Sequence, residues 1–462
     1  MAKKEAKELT PEEKLAQIIV PENEYEYQIP NNWRWIILGN LVSIKRGASP
    51  RPIKAFLTTD DENGVNWIKI GDSDSGKYIT SIKEKITESG AKKSVFVAKG
   101  TLLLSNSMSF GRPYILAVDG CIHDGWLAIT PGKVFDKEYL YYALLASEWY
   151  FERVAVGTAV RNLNSDRVAA TPIPLPPLSE QQRIVDRIES LFAKLDEAKE
   201  AAQIVVDGFE DRKAAILHKA FTGELTAEWR KKNGTSIEEW ETKKLLEVGT
   251  LQTGLMKGKK FKSETVLMPY LRVANVQDGY LDLSEIKEIE VEIEQVPRYM
   301  LRDEDVLFTE GGDYDKLGRG TVWHEEIPNC LHQNHIFVVR TDKDRLLPEF
   351  LSLETGSKYG KRYFISCSKQ TTNLASINST QLKNFPVLLP SIEEQKEIVG
   401  IIRDLVDKEE NSKEAAETVL DQIDIMKKSI LGRAFRGELG TNDTNDEPAM
   451  ELLKRILNES NS

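Results

Sequence analysis

Cys330, His332 and His335 crowd into one short stretch, "CLHQNH", and thiol–imidazole clustering of this kind is what a zinc site needs. The ligand set is incomplete. An earlier stretch, "CIHDGW", repeats Cys121 and His123 but carries Trp126 where a third ligand would stand. No second Cys or His cluster supplies a fourth donor, so no metal ligand is assigned. A buried thiol and a hydrogen-bonded histidine on a strand account better for both stretches. Glu310, Asp313 and Asp315 lie near Arg319, yet no convincing carboxylate–lysine constellation of the nuclease kind emerges. No G-x-x-x-x-G-K-[ST] phosphate loop is present. "LQTGLMKGKK" lacks that spacing and reads as a basic loop that meets phosphates, or as an ordinary solvated loop. A chain that methylated DNA alone would need an Asn/Asp-Pro-Pro-aromatic grip on a flipped base, and none occurs. No catalytic residue is assigned.

What remains is the chemistry of recognition. One set of polar and basic loop residues comprises Lys45, Arg46, Arg51 and Lys54, then Ser105, Asn106, Ser107 and Arg112. "GTAVRN" adds Thr158 and Arg161. A second set comprises Lys257, Lys259 and Lys260, then Thr309, Glu310, Asp313, Lys316 and Arg319. "SKQTTN" adds Lys369, Gln370 and Thr371. Lys and Arg hold phosphates or read guanine, Asn and Gln read adenine, and Glu or Asp accepts from cytosine N4. For each residue singly, a solvated surface role is the alternative.

The elements that must position these loops occur twice. "HKAFTGEL" (218–225) returns as "GRAFRGEL" (432–439), an offset of 214 in a chain of 462 residues. At the same offset "PLPPLSEQQRIV" matches "LLPSIEEQKEIV", and "NLNSDRV" matches "SINSTQL". Upstream the offset drifts to 203–209, as in "WIKIGD" over "YLRVAN" and "FGR" over "LGR". A drifting offset means insertions and deletions, so each copy joins a freely diverged N-terminal part to a stiffer C-terminal part. The period is far longer than a solenoid unit. The apolar runs "VNWIKI", "SVFVAKGTLLLS", "YILAV", "PYLRVANV", "DVLFT" and "HIFVVR" predict strands. "KEYLYYALLASEWYFERV" and "PEFLSLETGSKYGKRYF" each predict one amphipathic helix.

After the proline-rich segments, Ser179 with Gln182 and Ser391 with Glu394 predict capping boxes. Ile184, Ile188, Leu191, Leu195, Ala198, Ala202, Val205 and Phe209 then form a heptad seam. In the second copy the seam reads Ile398, Ile402, Leu405, Glu409, Ser412, Ala416, Val419, Ile423, Met426 and Ile430. Each helix would run about 55–60 Å at 1.5 Å per residue. A 3.5-residue seam needs a partner helix, and the other copy supplies one. The expected fold class is α+β: two mixed α/β blocks separated by a pair of long antiparallel coiled-coil helices, a pseudo-twofold internal repeat. The expected boundaries are 1–30, 31–177, 178–239, 240–390, 391–440 and 441–462. "TPEEKLAQII" and "DEPAMELLKRIL" predict short helices at the two ends that meet each other.

Composition sets the class. The net charge is −11, but residues 31–177 carry +4, so the acidity lies elsewhere and permits DNA binding without demanding it. The start, "MAKKEAKELTPEEK", lacks the apolar core of a signal peptide, and three scattered cysteines read as reduced thiols. A cytoplasmic chain with no membrane span is expected.

The capped heptad helices, the paired "AFTGEL" and "AFRGEL", the half-length repeat and "FTEGGDYDKLGRG" followed by "HQNHIFVVR" resemble the specificity subunit of type I restriction–modification systems. The resemblance covers nearly the whole chain. It implies that 31–177 and 240–390 are target-recognition domains, each reading one half of a split double-stranded DNA site. It implies a coil that sets the gap and holds two modification subunits, which methylate adenine N6 with S-adenosylmethionine. Restriction subunits using ATP and Mg would join them, and this chain would carry no cofactor. Modification-subunit contacts are expected on the outer helix faces and at Phe221, Gly223, Glu224, Phe435, Gly437 and Glu438, with a purely structural helix-end role as the alternative. A single-chain DNA-modifying enzyme and a coiled-coil adaptor that never touches DNA are the competing readings.

Overall fold

The computed structural model describes residues 10–74, 76–106, 111–154, 163–256, 258, 261–312, 317–370 and 375–459. They form two compact units, one drawn from Met1–Glu200 with Val419–Ser462, the other from Ala201–Thr418. Unit 1 thus takes chain from both ends, which linear boundaries did not anticipate. The reason lies in its helices. Residues 178–200 of the helix Leu178–Asp207 pair with residues 419–434 of the helix Ile392–Ala434. Lys427 donates to Asp196 at 2.5 Å, while Arg183, further back, donates to the Thr441 carbonyl at 3.0 Å. As numbers fall on one segment they rise on the other, so the pair is antiparallel.

The main sheet of unit 1 has the order Val42–Arg46, Trp126–Pro131, Leu102–Ser105, Pro113–Leu116, Tyr78–Ile79. Its first four strands pair antiparallel, and the last joins parallel through Tyr78↔Ile115. A second five-stranded sheet is centred on Val65–Ile68, and a ribbon pairs Arg34–Ile37 with Pro172–Leu175. The core runs from Leu102, Leu104, Ile115 and Leu127 through the helix Lys137–Ala146 to Ile184, Ile188, Leu431 and Phe435. Pro11–Ile18 opens with the capping box Thr10–Glu13 and packs its Leu15 and Ile18 in the same core as Leu452 and Leu453 of Ala449–Glu459. The two end helices therefore do meet.

Unit 2 repeats the plan with smaller main sheets. Its sheet runs Gly249–Thr253, Ile336–Thr341, Val306–Thr309, Gly320–Val322, beside a three-stranded sheet centred on Thr265–Leu271 and the ribbon Glu241–Lys244 with Pro386–Leu389. Its own helix pair is also antiparallel: Arg212 donates to Glu409 at 2.6 Å and Lys413 lies 4.9 Å from the Phe209 ring centre. Leu217, Ala220 and Phe221 share a core with Ile398, Val399 and Ile402.

Three expectations are corrected. In the second half of Ile392–Ala434 Ala416, Ile423 and Ile430 keep the expected seam, while the positions that alternate with them shift by one residue. Ser412 is exposed, and Val419 and Met426 are 41% and 44% exposed. Lys413 and Lys427 stand at the shifted positions, each with its ammonium over a phenylalanine ring, Phe209 in unit 2 and Phe192 in unit 1. An ammonium is attracted to the face of an aromatic ring, which hydropathy counting misses. Each expected recognition-block helix is two: Lys137–Ala146 and Glu148–Val154, Pro348–Gly356 and Lys358–Cys367. Ser147 and Ser357 break them; the Ser357 hydroxyl accepts from the N–H of Tyr359 and Gly360, starting a new helix. The capping boxes fail too. Ser179 lies inside its helix and donates to Asp446, and Gln182 donates to Asp186. Ser391 does accept from the Glu394 N–H, but the Glu394 carboxylate turns elsewhere.

Candidate nucleic-acid interface

In unit 1 the candidate loops gather around Asp124. Lys45 and Arg46 are exposed at the end of Val42–Arg46, and Arg46 Nε donates to the Asp124 carbonyl at 3.0 Å. Gly47 follows where a Cβ would stand 2.1 Å from the His123 carbonyl, so only glycine lets the two loops touch. Ser49 Oγ donates to Asp124 Oδ1 at 2.6 Å, and Arg51, 83% exposed, lies 3.6 Å from Oδ2. His123 Nδ1 accepts from the Gly125 N–H, so its proton sits on Nε2, which meets Asp124 Oδ1 at 2.9 Å. Burial pushes the Asp124 carboxyl up, but the Ser49 hydrogen bond with His123 and Arg51 outweighs it and holds the group below its usual range. Lys54 is exposed on a short 3-10 turn.

Ser105 and Asn106 are 0% and 1% exposed, which corrects the expectation that they face DNA. The Asn106 amide donates to the Asp124 carbonyl at 2.9 Å, and its own carbonyl accepts from the Leu163 N–H. Ser105 holds the Arg112 backbone across the same turn. Arg112 is half-buried with its guanidinium 5.5 Å from the Tyr114 ring centre. Ser107, Thr158 and Arg161 lie outside the described residues.

In unit 2 the equivalent corner is built on Glu310. Its carbonyl accepts from the Ile377 N–H, as that of Asn106 does from Leu163, and its carboxylate pairs with His335 Nδ1. Gly311–Gly312, Ala375–Ser376 and Lys369–Gln370 form a small sheet that places the exposed Lys369 in the same sheet as the strand that follows Glu310. Thr309 is fully buried, and Arg319 is half-buried and donates to Gln277 Oε1 (3.0 Å) and the Val273 carbonyl (3.3 Å), so neither stands free on the surface. Lys257, Lys259, Lys260, Asp313, Lys316 and Thr371 lie outside the described residues, as does the side chain of Gln370. Cys330 and His332 are buried, with His332 Nδ1 bonded to the Tyr299 carbonyl. Burial pushes the Cys330 thiol up to about 12 and His332 down to about 4, as befits neutral core groups.

The "AF-x-GEL" repeats are helix stops. Gly437 N–H bonds the Ala434 carbonyl and Glu438 N–H the Arg433 carbonyl, with Gly437 at φ 73°, a Schellman motif. Gly223, at φ 78°, repeats the inner bond to Ala220. Phe435 then packs on Tyr139 (ring centres 5.4 Å) and Phe221 on Phe350 (5.3 Å), the same helix position in each recognition block. Phe221 and Phe435 are buried, which corrects their assignment to a partner; Glu224 and Glu438 remain exposed.

Two adjacent residues join block to helix in each unit; of the four, only Glu394 has a role expected from the sequence, as a capping residue. Glu180 accepts from the Trp33 indole at 2.7 Å and from Asn442 and Thr441; Gln181 bonds the Asp136 N–H and the Val134 and Pro176 carbonyls. At offset 214, Glu394 accepts from the Trp240 indole (3.0 Å), Thr226 (2.7 Å) and Arg230 (2.5 Å), and Gln395 bonds the Leu347 N–H and the Arg345 and Pro390 carbonyls. The signal was present: an identical Glu-Gln pair at the strict offset, with tryptophans aligned at 207.

A family model described as the type I restriction modification DNA specificity domain matches residues 30–205 and again 237–420. Among curated relatives, the type I restriction enzyme EcoKI specificity subunit of Escherichia coli (strain K12) is 26% identical over 435 residues, covering 89% of this chain and 90% of its own. The MjaVIII specificity subunit of Methanocaldococcus jannaschii is 23% identical over 437 residues, 90% of this chain and 95% of its own. The crystal structure of the HsdS subunit from Thermoanaerobacter tengcongensis has a TM-score of 0.61 at 19% identity, covering 90% of this chain and 100% of that one, a likeness of fold. Among the described residues no helix is long and apolar enough to cross a membrane.

Proposed function

The chain belongs to the family of type I restriction modification DNA specificity domains, and we propose that it is the DNA-sequence-specificity subunit of such a complex. Each recognition domain reads one half of a bipartite site. The paired helices set the gap and dock two adenine-N6 methyltransferase subunits, which restriction subunits join. The chain does no chemistry itself; S-adenosylmethionine, ATP and Mg act on the partners, in the cytoplasm of a prokaryote. The observation that carries this reading is that the family match falls twice, once on each unit. Each unit also owns a separate corner of polar loops, around Asp124 and around Glu310.

Co-expression with the cognate modification subunits in a host free of adenine methylation tests it. Sequencing of modified adenines is expected to return one split motif, two short defined halves around a gap of fixed length. A continuous motif, or methylation by this chain without partners, would refute it. Arg46 and Arg51 give a finer check. If they hold phosphates, each alanine substitution lowers the slope of log affinity against log salt by about 0.9, nearly uniformly across DNA sequences. An unchanged slope would remove them from the interface.

A further inference from the structure

The corner of unit 2 presents an acceptor where that of unit 1 presents donors, on one backbone scaffold. In both units a glycine lays the end of one strand on the turn before the next. A Cβ on Gly47 would stand 2.1 Å from the His123 carbonyl, and one on Gly254 would stand 2.3 Å from that of His332. Asn106 and Glu310 follow the strands Leu102–Ser105 and Val306–Thr309, and their carbonyls accept from the N–H of Leu163 and Ile377. The side chains differ. Asn106 is enclosed, whereas the Glu310 side chain is 36% exposed.

Glu310 is held rigidly. Its N–H donates to the His335 carbonyl at 2.9 Å, and its Oε2 pairs with His335 Nδ1. A carboxylate on Nδ1 keeps the ring proton there, so Nε2 accepts from the Asn334 amide at 3.2 Å. The turn that carries both residues is pinned by Asn334 N–H to the Leu255 carbonyl (3.0 Å) and Ile336 N–H to the Gln333 carbonyl (2.9 Å). Glu310 Oε1 has no partner among the described residues. In unit 1 the Asp124 carboxylate is covered by Ser49, His123 and Arg51, so that corner turns guanidinium groups outward.

A carboxylate is repelled by phosphates, so on a DNA-facing corner it has one use. In the major groove the donors on base edges are the amino groups of cytosine N4 and adenine N6, and Glu or Asp accepts from such groups. A fixed acceptor loses little freedom on binding and discriminates by direction. The exposed Lys369 stands in the same small sheet as Gly311, a cation within the corner that offsets the negative charge toward phosphates.

We propose that Glu310 is a specificity-determining residue of unit 2. Its Oε1 accepts from the exocyclic amino group of one cytosine or adenine in the major groove, and His335, backed by Asn334, is the positioning residue that aims it. This rests on the proposed function.

Binding of synthetic duplexes to the full complex with modification subunits tests it. At each base pair of the unit 2 half-site in turn, the methylated adenine excepted, the amino-bearing base is replaced by its deamino analogue, 2-pyrimidinone for cytosine or purine for adenine. The wild-type complex is expected to lose about tenfold in affinity at one pair that the Glu310→Ala complex tolerates. Which analogue acts there tells cytosine from adenine. His335→Ala is expected to remove most of the same discrimination, and His335→Asn, which keeps an N–H for the carboxylate, to restore part of it. If Glu310→Ala assembles no complex, Glu310→Gln, which keeps the volume, takes its place. Mapping of modified adenines with Glu310→Gln is expected to change that one pair and to leave the unit 1 half as it was. Discrimination that is the same at every pair with and without the Glu310 carboxylate overturns this inference and leaves the proposed function standing. A wild-type complex that methylates no split site removes both.

Discussion

Glu394→Ala is expected to lower the stability of unit 2 by about 3–5 kcal/mol, because it leaves the Arg230 guanidinium buried and unpaired. Arg230 and Glu394 side chains are 9% and 3% exposed and meet at 2.5 Å. The same carboxylate serves Thr226 and Trp240, so alanine orphans two neutral donors as well. For a unit of this size the loss is worth roughly 6–20 °C in melting temperature by calorimetry. Glu394→Gln keeps an acceptor for Trp240 and should cost less. The homologous Glu180→Ala in unit 1 should also cost less, since Glu180 takes its bonds from Trp33, Asn442 and Thr441. Burial raises the Glu180 carboxyl above its usual range against those hydrogen bonds and the nearby Arg183. Equal losses at the two positions, or a loss under 1 kcal/mol at Glu394, would show that the buried ion pair does not hold unit 2 together.

Exchanging residues 31–177 for the first recognition domain of another family member is expected to replace one half of the methylated site completely and leave the other half and the gap unchanged. The described candidates before residue 178 all lie in unit 1, and the described candidates of the second set all lie in unit 2. The cut keeps the ribbon of Arg34–Ile37 with Pro172–Leu175 whole. Among the bonds it crosses, the incoming domain must restore a tryptophan at 33 for Glu180, and at 136 and 134 the backbone N–H and carbonyl that Gln181 binds. Mapping modified adenines before and after the exchange decides it. A change in both halves would end the modular reading.

Much of this was legible in residues near one another in the chain. The strands at 65–68, 102–105 and 306–309 follow from short β-branched and apolar runs. The glycines at 223 and 437, expected at a partner contact with a helix-end role as the alternative, take the helix-end role, because a left-handed residue there is nearly free only for glycine. In the first seam Ile184, Ile188, Ala202 and Phe209 are buried as period expects, while Ala198 is exposed. Where lysines reach an aromatic ring across the seam, as at Lys413 and Lys427, period misplaces those positions by one residue.

By itself the sequence determined that there are two copies and that each ends in helix needing a partner, because spacing acts over a few residues; it did not show the break at Gly208 between Leu178–Asp207 and Phe209–Phe221. The tertiary structure alone decided which polar groups stay in water. Asn106 and Thr309 were chosen as ligand-facing by type and loop position, yet both are enclosed. It alone joined Glu180 to Asn442, 262 residues apart. Burial and pairing depend on which distant segments arrive at one place, and no local pattern encodes that arrival.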